Sequence, residues 1–110
     1  RKVSIKYCTK EILFTSFEEL IEQEFSHADY VNICQNFKII VLENISQISE
    51  SENNKITRLI NFIDNAYFYK IILFITCITD PKLIYSKGKI YDKFTRTISR
   101  LNEMNNSNYP

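Results

Sequence analysis

The chain has 110 residues, enough for one domain but not two, because a chain of this size buries about two thirds of its extended surface on folding. Hydrophobic residues make up 45% and charged residues 25%, with one glycine and two prolines, which excludes collagen-like and intrinsically disordered classes. The net charge of +1 is too small for a basic footprint spread over the chain, so no nucleic acid is expected among its partners.

The cysteines and the apolar runs indicate a compartment. Three widely spaced cysteines without a CxxC pair favour reduced thiols in a bacterial cytoplasm or a mitochondrial matrix over a disulfide framework or a zinc site. The longest apolar run, Ile71–Ile78, is far shorter than the roughly 20 residues that span a bilayer, so no transmembrane segment is expected. Because the chain opens at Arg1 rather than at Met, we expect a piece of a longer polypeptide.

The N-terminal third predicts strands followed by two short helices. Apolar and polar residues alternate at the start and a second apolar run follows, so the first 15 residues predict one or two strands. Ser16 stands three residues before Glu19, which is the spacing of a capping box and predicts a helix start. Ser26 and Asp29 repeat this spacing and predict a second helix, which ends near Phe37.

Two apolar segments in the middle of the chain have the pattern of strands buried in a sheet. They are Lys38–Asn44, expected to be covered on both faces, and Ile71–Cys77. Between them, apolar residues at helical spacing from Ile56 to Tyr67 predict an amphipathic helix over Asn54–Phe68. Strand, helix and strand form a βαβ unit with parallel strands and a right-handed crossover. The predicted class is therefore α/β, a small sheet containing parallel strands with helices packed on it.

A long C-terminal helix completes the predicted fold. After Asp80 and Pro81, a short turn and the lone glycine, Gly88, precede a helix of about 15 residues whose apolar positions recur at helical spacing. Its predicted core face consists of Ile90, Phe94, Ile98 and Leu101, and the opposite stripe of Lys93, Arg96, Arg100 and Glu103.

The chain carries no complete nucleotide-binding motif. A P-loop needs several glycines followed by Lys and Ser or Thr, whereas Gly88 is the only glycine and Ile90 follows its GK pair. Glu43 ends an apolar strand as a Walker B acid does, but without a phosphate cradle we interpret it as an ordinary strand-end acid. His27 follows a predicted N-cap, where a solvated or capping role is favoured. No catalytic, cofactor-binding or metal-ligating residue is therefore expected in this chain.

Two arginines on the last helix allow two interpretations. Arg96 and Arg100 stand four residues apart on one face, a like-charge pair that is unfavourable in an isolated helix. Asp92 precedes Arg96 by four residues and Glu103 follows Arg100 by three, so local ion pairs are one explanation. Alternatively, both guanidinium groups are presented to a phosphate or to a carboxylate of another domain. The pattern alone favours the local pairs.

The same helix resembles a known family. The stretch FTRTISRLNEMNNSNY, residues 94–109, resembles the C-terminal signature of the ZapE/Afg-type AAA-like ATPases, an RT-x-SRL-x-EM block followed by a small polar residue and Tyr. The upstream segments SFEELIEQEFSHADYVNIC, NFKIIVLENISQIS, RLINFIDNAYFYKIILFITC and LIYSKGK resemble that family in the same order, so the resemblance covers nearly the whole chain. The family's nucleotide-binding segments would precede Arg1.

The resemblance implies that residues 1–110 form a single C-terminal domain of a P-loop ATPase, whose missing N-terminal core binds ATP and Mg and hydrolyses ATP. The implied partners are this ATPase core and a protein client, such as a division-ring or membrane-associated protein. Polar residues on the family pattern become candidates for docking against the core or sensing its nucleotide. They are Arg96 and Arg100 above all, with Thr97, Ser99, Glu103, Arg58 and Asp64. For Arg58 and Asp64, surface charge is the competing interpretation.

Two other functional classes stay open. One is a stand-alone α/β protein-interaction module without catalysis, which would use a surface drawn from the seven Tyr and eight Phe. The other is a small flavodoxin-like or receiver-like enzyme with a ligand site at the strand ends near Glu43 and Asp80, which we rank last.

Overall fold

A computed structural model of the chain describes residues 7–8 and 12–104. One sheet has the strand order β1-β2-β3-β4, in which β2, β3 and β4 are parallel and β1 is antiparallel to β2. The strands are β1 Tyr7–Cys8, β2 Ile12–Ser16, β3 Ile39–Ile45 and β4 Ile72–Cys77. The helices are α1 Phe17–Leu20, α2 His27–Asn36, α3 Asn53–Phe68 and α4 Tyr91–Met104, with a 3-10 turn at Pro81–Leu83. The predicted α/β class is confirmed. Parts of the predicted N-terminal strands and of the C-terminal signature lie outside the described residues.

Both predicted serines cap helix starts, and the two reciprocal bonds of a capping box are both present at α2. The Ser16 hydroxyl accepts a hydrogen bond from the Glu19 amide at 3.2 Å at the start of α1. At α2, the Ser26 hydroxyl accepts from the Asp29 amide at 3.2 Å, and the Asp29 carboxylate accepts from the Ser26 amide at 2.8 Å. These bonds satisfy amides that a helix leaves unpaired at its first turn, which is why the spacing identifies the two helix starts.

The helices of the two crossovers pack on a single face of the sheet. The steps from β2 to β3 and from β3 to β4 run in the same direction across the sheet, and right-handed crossovers then place their helices on the same side. On that side Leu13, Ile40 and Leu42 are fully buried and share one core with helix residues such as Leu59 and Ile63. The alternate strand residues are only half-buried or exposed.

Two sequence predictions about burial are therefore wrong. The segment predicted at Lys38–Asn44 is a central strand, β3, but its residues alternate between buried and half-buried, so only one face is fully covered. The segment predicted as a second buried strand, at Ile71–Cys77, is the edge strand β4, in which Phe74 is 57% exposed. An uninterrupted apolar run predicts burial on both faces, whereas crossover direction, which the run does not encode, determines which faces helices cover.

Helix α4 buries a face that differs in part from the predicted one. Phe94 is buried as expected, whereas Ile98 and Leu101 are only partly buried. Thr97 is 1% exposed and faces α3, where its hydroxyl lies 3.5 Å from Asp64 Oδ1. Thr97 lies three residues after Phe94, on the same helical face, so the core stripe of α4 is rotated toward its polar side.

Two fully buried tyrosines differ in the environment of their hydroxyl groups. The Tyr30 hydroxyl donates a hydrogen bond to the Leu20 carbonyl at 3.0 Å. The Tyr85 ring packs edge-on against Phe94 at a centroid distance of 5.8 Å, but its buried hydroxyl has no partner among the described residues. A buried hydroxyl without a partner keeps its desolvation cost.

We therefore expect opposite results from the same substitution. Tyr30→Phe leaves the Leu20 carbonyl without its donor and should lower the free energy of unfolding by about 1–3 kcal/mol. Tyr85→Phe removes an unpaired polar group and should leave the free energy of unfolding unchanged or raise it slightly. Urea unfolding followed by circular dichroism measures both variants, and an equal loss in the two would contradict the assigned environments.

Candidate functional site

An ion pair joins α3 to α4 at the position where the sequence singled out polar residues. Arg100 Nη1 lies 2.7 Å from Asp64 Oδ1, and the two side chains are 43% and 30% exposed. The Arg100 guanidinium also lies over the Tyr67 ring, with 5.5 Å between Cζ and the ring centroid. Such cation–π contacts add to an ion pair because the ring face is electron-rich. Arg100 thus has two partners on α3.

The Tyr67 hydroxyl and Thr97 extend this contact into a polar cluster. The Tyr67 hydroxyl donates to Glu103 Oε2, and this hydrogen bond raises the pKa of Tyr67, since ionisation would break it. The buried Thr97 hydroxyl lies 3.3 Å from the Lys93 carbonyl and 3.5 Å from Asp64 Oδ1. Four of the seven candidate residues therefore meet at the α3–α4 contact, where their interactions hold the two helices together.

The local ion pairs expected within the last helix do not form. Among the described residues, Asp92 makes no ion pair with Arg96, and Arg100 makes none with Glu103. Arg100 and Glu103 both turn toward α3, where Asp64 and the Tyr67 hydroxyl are their partners. An ion pair was the correct type of contact for Arg100, but its partner lies on the neighbouring helix.

Arg96 and Ser99 lie on the outward side of α4. Ser99 is exposed, and its hydroxyl donates to the Thr95 carbonyl at 3.3 Å. Arg96 is exposed and makes no hydrogen bond or ion pair with any other residue that the structure describes. The two arginines are therefore not equivalent, because Arg100 is bound within the domain and Arg96 is open to solvent.

Arg58 lies apart from the cluster and stabilises the other end of α3. Its Nε donates to the Ile21 carbonyl at 2.6 Å, at the C-terminal end of α1. Arg58 also borders a polar hollow at the start of α3, in which Lys55 binds Glu52 at 2.9 Å. The hydrogen bond from Lys55 lowers the pKa of Glu52 to about 2. Here Arg58 links α3 to α1.

The lone glycine has a packing role against a buried tyrosine. Gly88 adopts φ +151°, and a Cβ at this position would lie 1.8 Å from the Tyr85 hydroxyl oxygen. The glycine therefore makes room for the Tyr85 ring, whereas phosphate loops use glycines to open backbone amides toward a ligand. The described residues contain no group of acidic, histidine and cysteine side chains that could hold a metal ion.

Other candidate groups have structural positions. Asp80 caps the 3-10 turn, since its Oδ1 accepts from the Lys82 amide at 2.9 Å. His27 is the exposed first residue of α2. The Cys34 thiol is buried, and burial raises its pKa to about 12, so it stays protonated at neutral pH.

No described helix has the length and apolarity required to span a membrane.

Sequence reasoning missed two contacts. The sequence placed Tyr67 on the apolar face of its predicted helix, yet the Tyr67 hydroxyl binds Glu103, which is distant along the chain. Gly88 was considered only as part of a phosphate loop, yet it accommodates Tyr85. The short spacing of Tyr85 and Gly88 was the only signal available for the second contact.

The fold is that of an α/β domain, and the polar cluster holds its helices α3 and α4 together. The model of the AFG1-like ATPase family matches residues 1–110, the whole chain. The chain therefore belongs to the AFG1-like ATPase family, which is the family of the ZapE/Afg-type proteins that its sequence resembles.

One relative and one negative result complete the comparison. A Schizosaccharomyces pombe protein described as "Uncharacterized protein C115.02c" is 25% identical over 132 residues, which cover 94% of this chain and 29% of that protein. The chain thus spans less than a third of that relative. No solved structure matches this chain.

The packing role of Gly88 gives the first prediction for this region. Gly88→Ala should lower the free energy of unfolding by about 1–3 kcal/mol, because the added methyl group overlaps the Tyr85 hydroxyl and the backbone conformation is strained for alanine. Lys87→Ala, at the exposed neighbouring position, is the control and should stay within about 0.5 kcal/mol of the parent chain. Thermal and urea unfolding of both variants provide the measurement. A Gly88→Ala variant as stable as the control would show that Gly88 is not packed.

A second prediction follows from the different environments of Arg96 and Arg100. Arg100→Gln should lower the free energy of unfolding by about 0.5–1 kcal/mol, since it removes the contact with Asp64 and Tyr67 at a partly exposed position. Arg96→Gln should change it by less than about 0.5 kcal/mol. The loss in Arg100→Gln should shrink when urea unfolding is repeated at high salt, because salt screens the ion pair. Equal losses in both variants would contradict the assignment.

Proposed function

We propose that this chain is the domain of an AFG1-like ATPase that lies C-terminal to the nucleotide-binding core, and that it contacts this core without holding the nucleotide itself. The family match over residues 1–110 carries the proposal. The packing of Gly88 against Tyr85 supports it, because the chain's only glycine is unavailable as a phosphate cradle. The ATP and Mg of the parent protein would then be bound by residues outside this chain.

Arg96 is the residue we assign to contact with the ATPase core. A guanidinium group is suited to binding a carboxylate or a phosphate through two parallel hydrogen bonds. Arg96 presents such a group to solvent, whereas Arg100 is bound to Asp64 and Tyr67. The outward face of α4 is positioned by the α3–α4 contact of Arg100, Thr97, Asp64 and Glu103. Ser99 lies beside Arg96 on this outward face.

The parent protein would couple ATP hydrolysis to action on a protein client, such as a division-ring or membrane-associated protein, in a bacterial cytoplasm or a mitochondrial matrix. This finer assignment follows from the resemblance to the ZapE/Afg-type proteins. The exposed aromatic residues Phe68 and Phe74 favour the alternative of an interaction module, since such side chains are enriched in protein interfaces.

A titration and a pair of variants test the proposal. Calorimetric titration of this chain with MgATP should show no binding, and tight binding would contradict it. In the protein encoded together with the sequence upstream of Arg1, Arg96→Gln should lower the ATPase turnover about tenfold or more, an estimate that reflects loss of a charged contact of about 1.4 kcal/mol or more. Lys93→Gln, at another exposed basic position on α4, is the control and should have no effect.

Two outcomes would favour the interaction module instead. The first is an upstream sequence without a P-loop and an acidic Walker B strand. The second is a parent ATPase whose turnover is unaffected by Arg96→Gln combined with Arg100→Gln while the double variant fails to bind its partner in a pull-down.

A further inference from the structure

A small pocket lies between α4 and the 3-10 turn that precedes it. It has a volume of about 140 Å³ and is lined by Lys82, Tyr91, Phe94, Thr95 and Ile98. We call it the α4 pocket. Phe94 is buried, whereas Tyr91 and Thr95 are exposed, so the pocket has an apolar base beneath an accessible rim. A cavity of about 150 Å³ holds a benzene ring, so the α4 pocket has room for one large apolar side chain.

The chain that forms one side of the α4 pocket is basic. From Pro81 to Tyr91 it contains three lysines, Lys82, Lys87 and Lys89, and no acidic residue. All three lysines are exposed, and their ammonium groups make no ion pair or hydrogen bond with any residue that the structure describes. An unpaired cationic surface attracts a partner of opposite charge.

The two acidic residues that flank this segment leave the lysines unpaired. The Asp80 carboxylate accepts a hydrogen bond from the backbone amide of Lys82 at 2.9 Å, which caps the 3-10 turn. Asp92 is exposed and stands about 100° from Tyr91 around the axis of α4, because a helix has about 3.6 residues per turn. Within the described part of the chain, neither acid forms an ion pair. The rim of the α4 pocket therefore keeps its positive charge.

The shape of the pocket favours a protein segment over a lipid surface. Leu83 is 53% exposed and Tyr91 39% exposed, so apolar side chains stand beside the lysines. A bilayer surface would contact these two side chains without using the concave base at Phe94. Protein interfaces, in contrast, place a large apolar side chain in a central pocket and surround it with a polar rim. The complementary partner carries acidic residues beside one large apolar residue.

The α4 pocket and Arg96 lie on different sides of α4. At about 100° per residue, Arg96 stands roughly 140° from Tyr91 and roughly 160° from Ile98 around the helix axis. An ATPase core that contacts Arg96 can therefore leave the α4 pocket accessible to a second protein.

We propose that the α4 pocket binds an acidic segment of a separate protein, which places one large apolar side chain in the pocket and its carboxylates beside the three lysines. The inference rests on the proposed function in treating this separate protein as the client of the ATPase. It adds the chemistry of the segment that is recognised and the surface that recognises it.

Selection from a random-peptide phage library on the immobilised chain tests this partner chemistry. Enriched peptides should combine Asp or Glu residues with Leu, Phe or another large apolar residue. A fluorescein-labelled copy of the most enriched peptide is then the probe, and its anisotropy measures binding to this chain and to the longer protein that includes the upstream coding sequence. Both proteins should bind the probe, and both should bind it more weakly at high salt, because salt screens the contact with the lysines.

Two variants place a carboxylate at the rim of the pocket. Lys82→Glu and Thr95→Glu should each weaken binding of the probe about tenfold or more, since the new carboxylate repels the acidic peptide. Lys38→Glu is the control, because it makes the same change of charge at an exposed position directly before β3, at the opposite end of the sheet from the 3-10 turn. It should leave binding unchanged. All three positions are exposed, so the urea midpoints should match that of the parent chain.

Several results would overturn the inference. Peptides enriched without acidic residues would do so, as would no enrichment or an equal effect of Lys82→Glu and Lys38→Glu. Binding of the probe to this chain but not to the longer protein would overturn it in favour of a pocket covered by the ATPase's own polypeptide. No enrichment, together with sedimentation of the chain on vesicles that contain phosphatidylserine, would overturn it in favour of an anionic lipid surface.

ATP hydrolysis by the longer protein separates this inference from the proposed function. Turnover that falls in Arg96→Gln, without any binding of an acidic peptide, would overturn only the role of the α4 pocket. Binding of the probe that depends on Lys82 and Thr95, in a longer protein that does not hydrolyse ATP, would overturn the proposed function and support the pocket.

Discussion

The handedness of strand–helix–strand crossovers is the constraint on which the rest of this domain depends. Both crossovers step across the sheet in the same direction, so their helices lie on one side of it. Leu13, Ile40 and Leu42 then form the floor of a single core, while the alternate strand residues face away from it. The same constraint makes β4 an edge strand. The helices therefore cover one face of the sheet fully, and the described strand residues of the other face are half-buried or exposed.

The polar cluster between α3 and α4 distinguishes the candidate residues from one another. The ion pair of Arg100 with Asp64 and the hydrogen bond of Tyr67 to Glu103 fix α4 on α3. Because Arg100 is bound within the domain, Arg96 is the guanidinium that remains available on the outward face. The residues on the family pattern therefore include some that hold the domain together and one, Arg96, that is open to solvent.

Local signals in the sequence predicted the elements well, and tertiary packing accounts for what they did not predict. The capping residues Ser16 and Ser26 identified two helix starts because capping is an interaction within one turn. The burial of β4 was wrong because an apolar run does not show which faces the helices cover. The partner of Arg100 was missed because Asp64 approaches only when two helices dock in one particular register. The family resemblance, carried by the RT-x-SRL-x-EM block, is confirmed by the family match.

The one-sided sheet is the central claim, and relaxation of methyl protons by a soluble gadolinium chelate tests it most directly in the unmodified chain. Stronger relaxation should be seen at the methyl groups of Ile39, Val41 and Ile72, which lie on the sheet face opposite the helices. Weak relaxation should be seen at Ile40 and Leu42, which are buried beneath the helices. Similar, weak relaxation on both faces would contradict the account, because it would show that a second layer already covers the sheet.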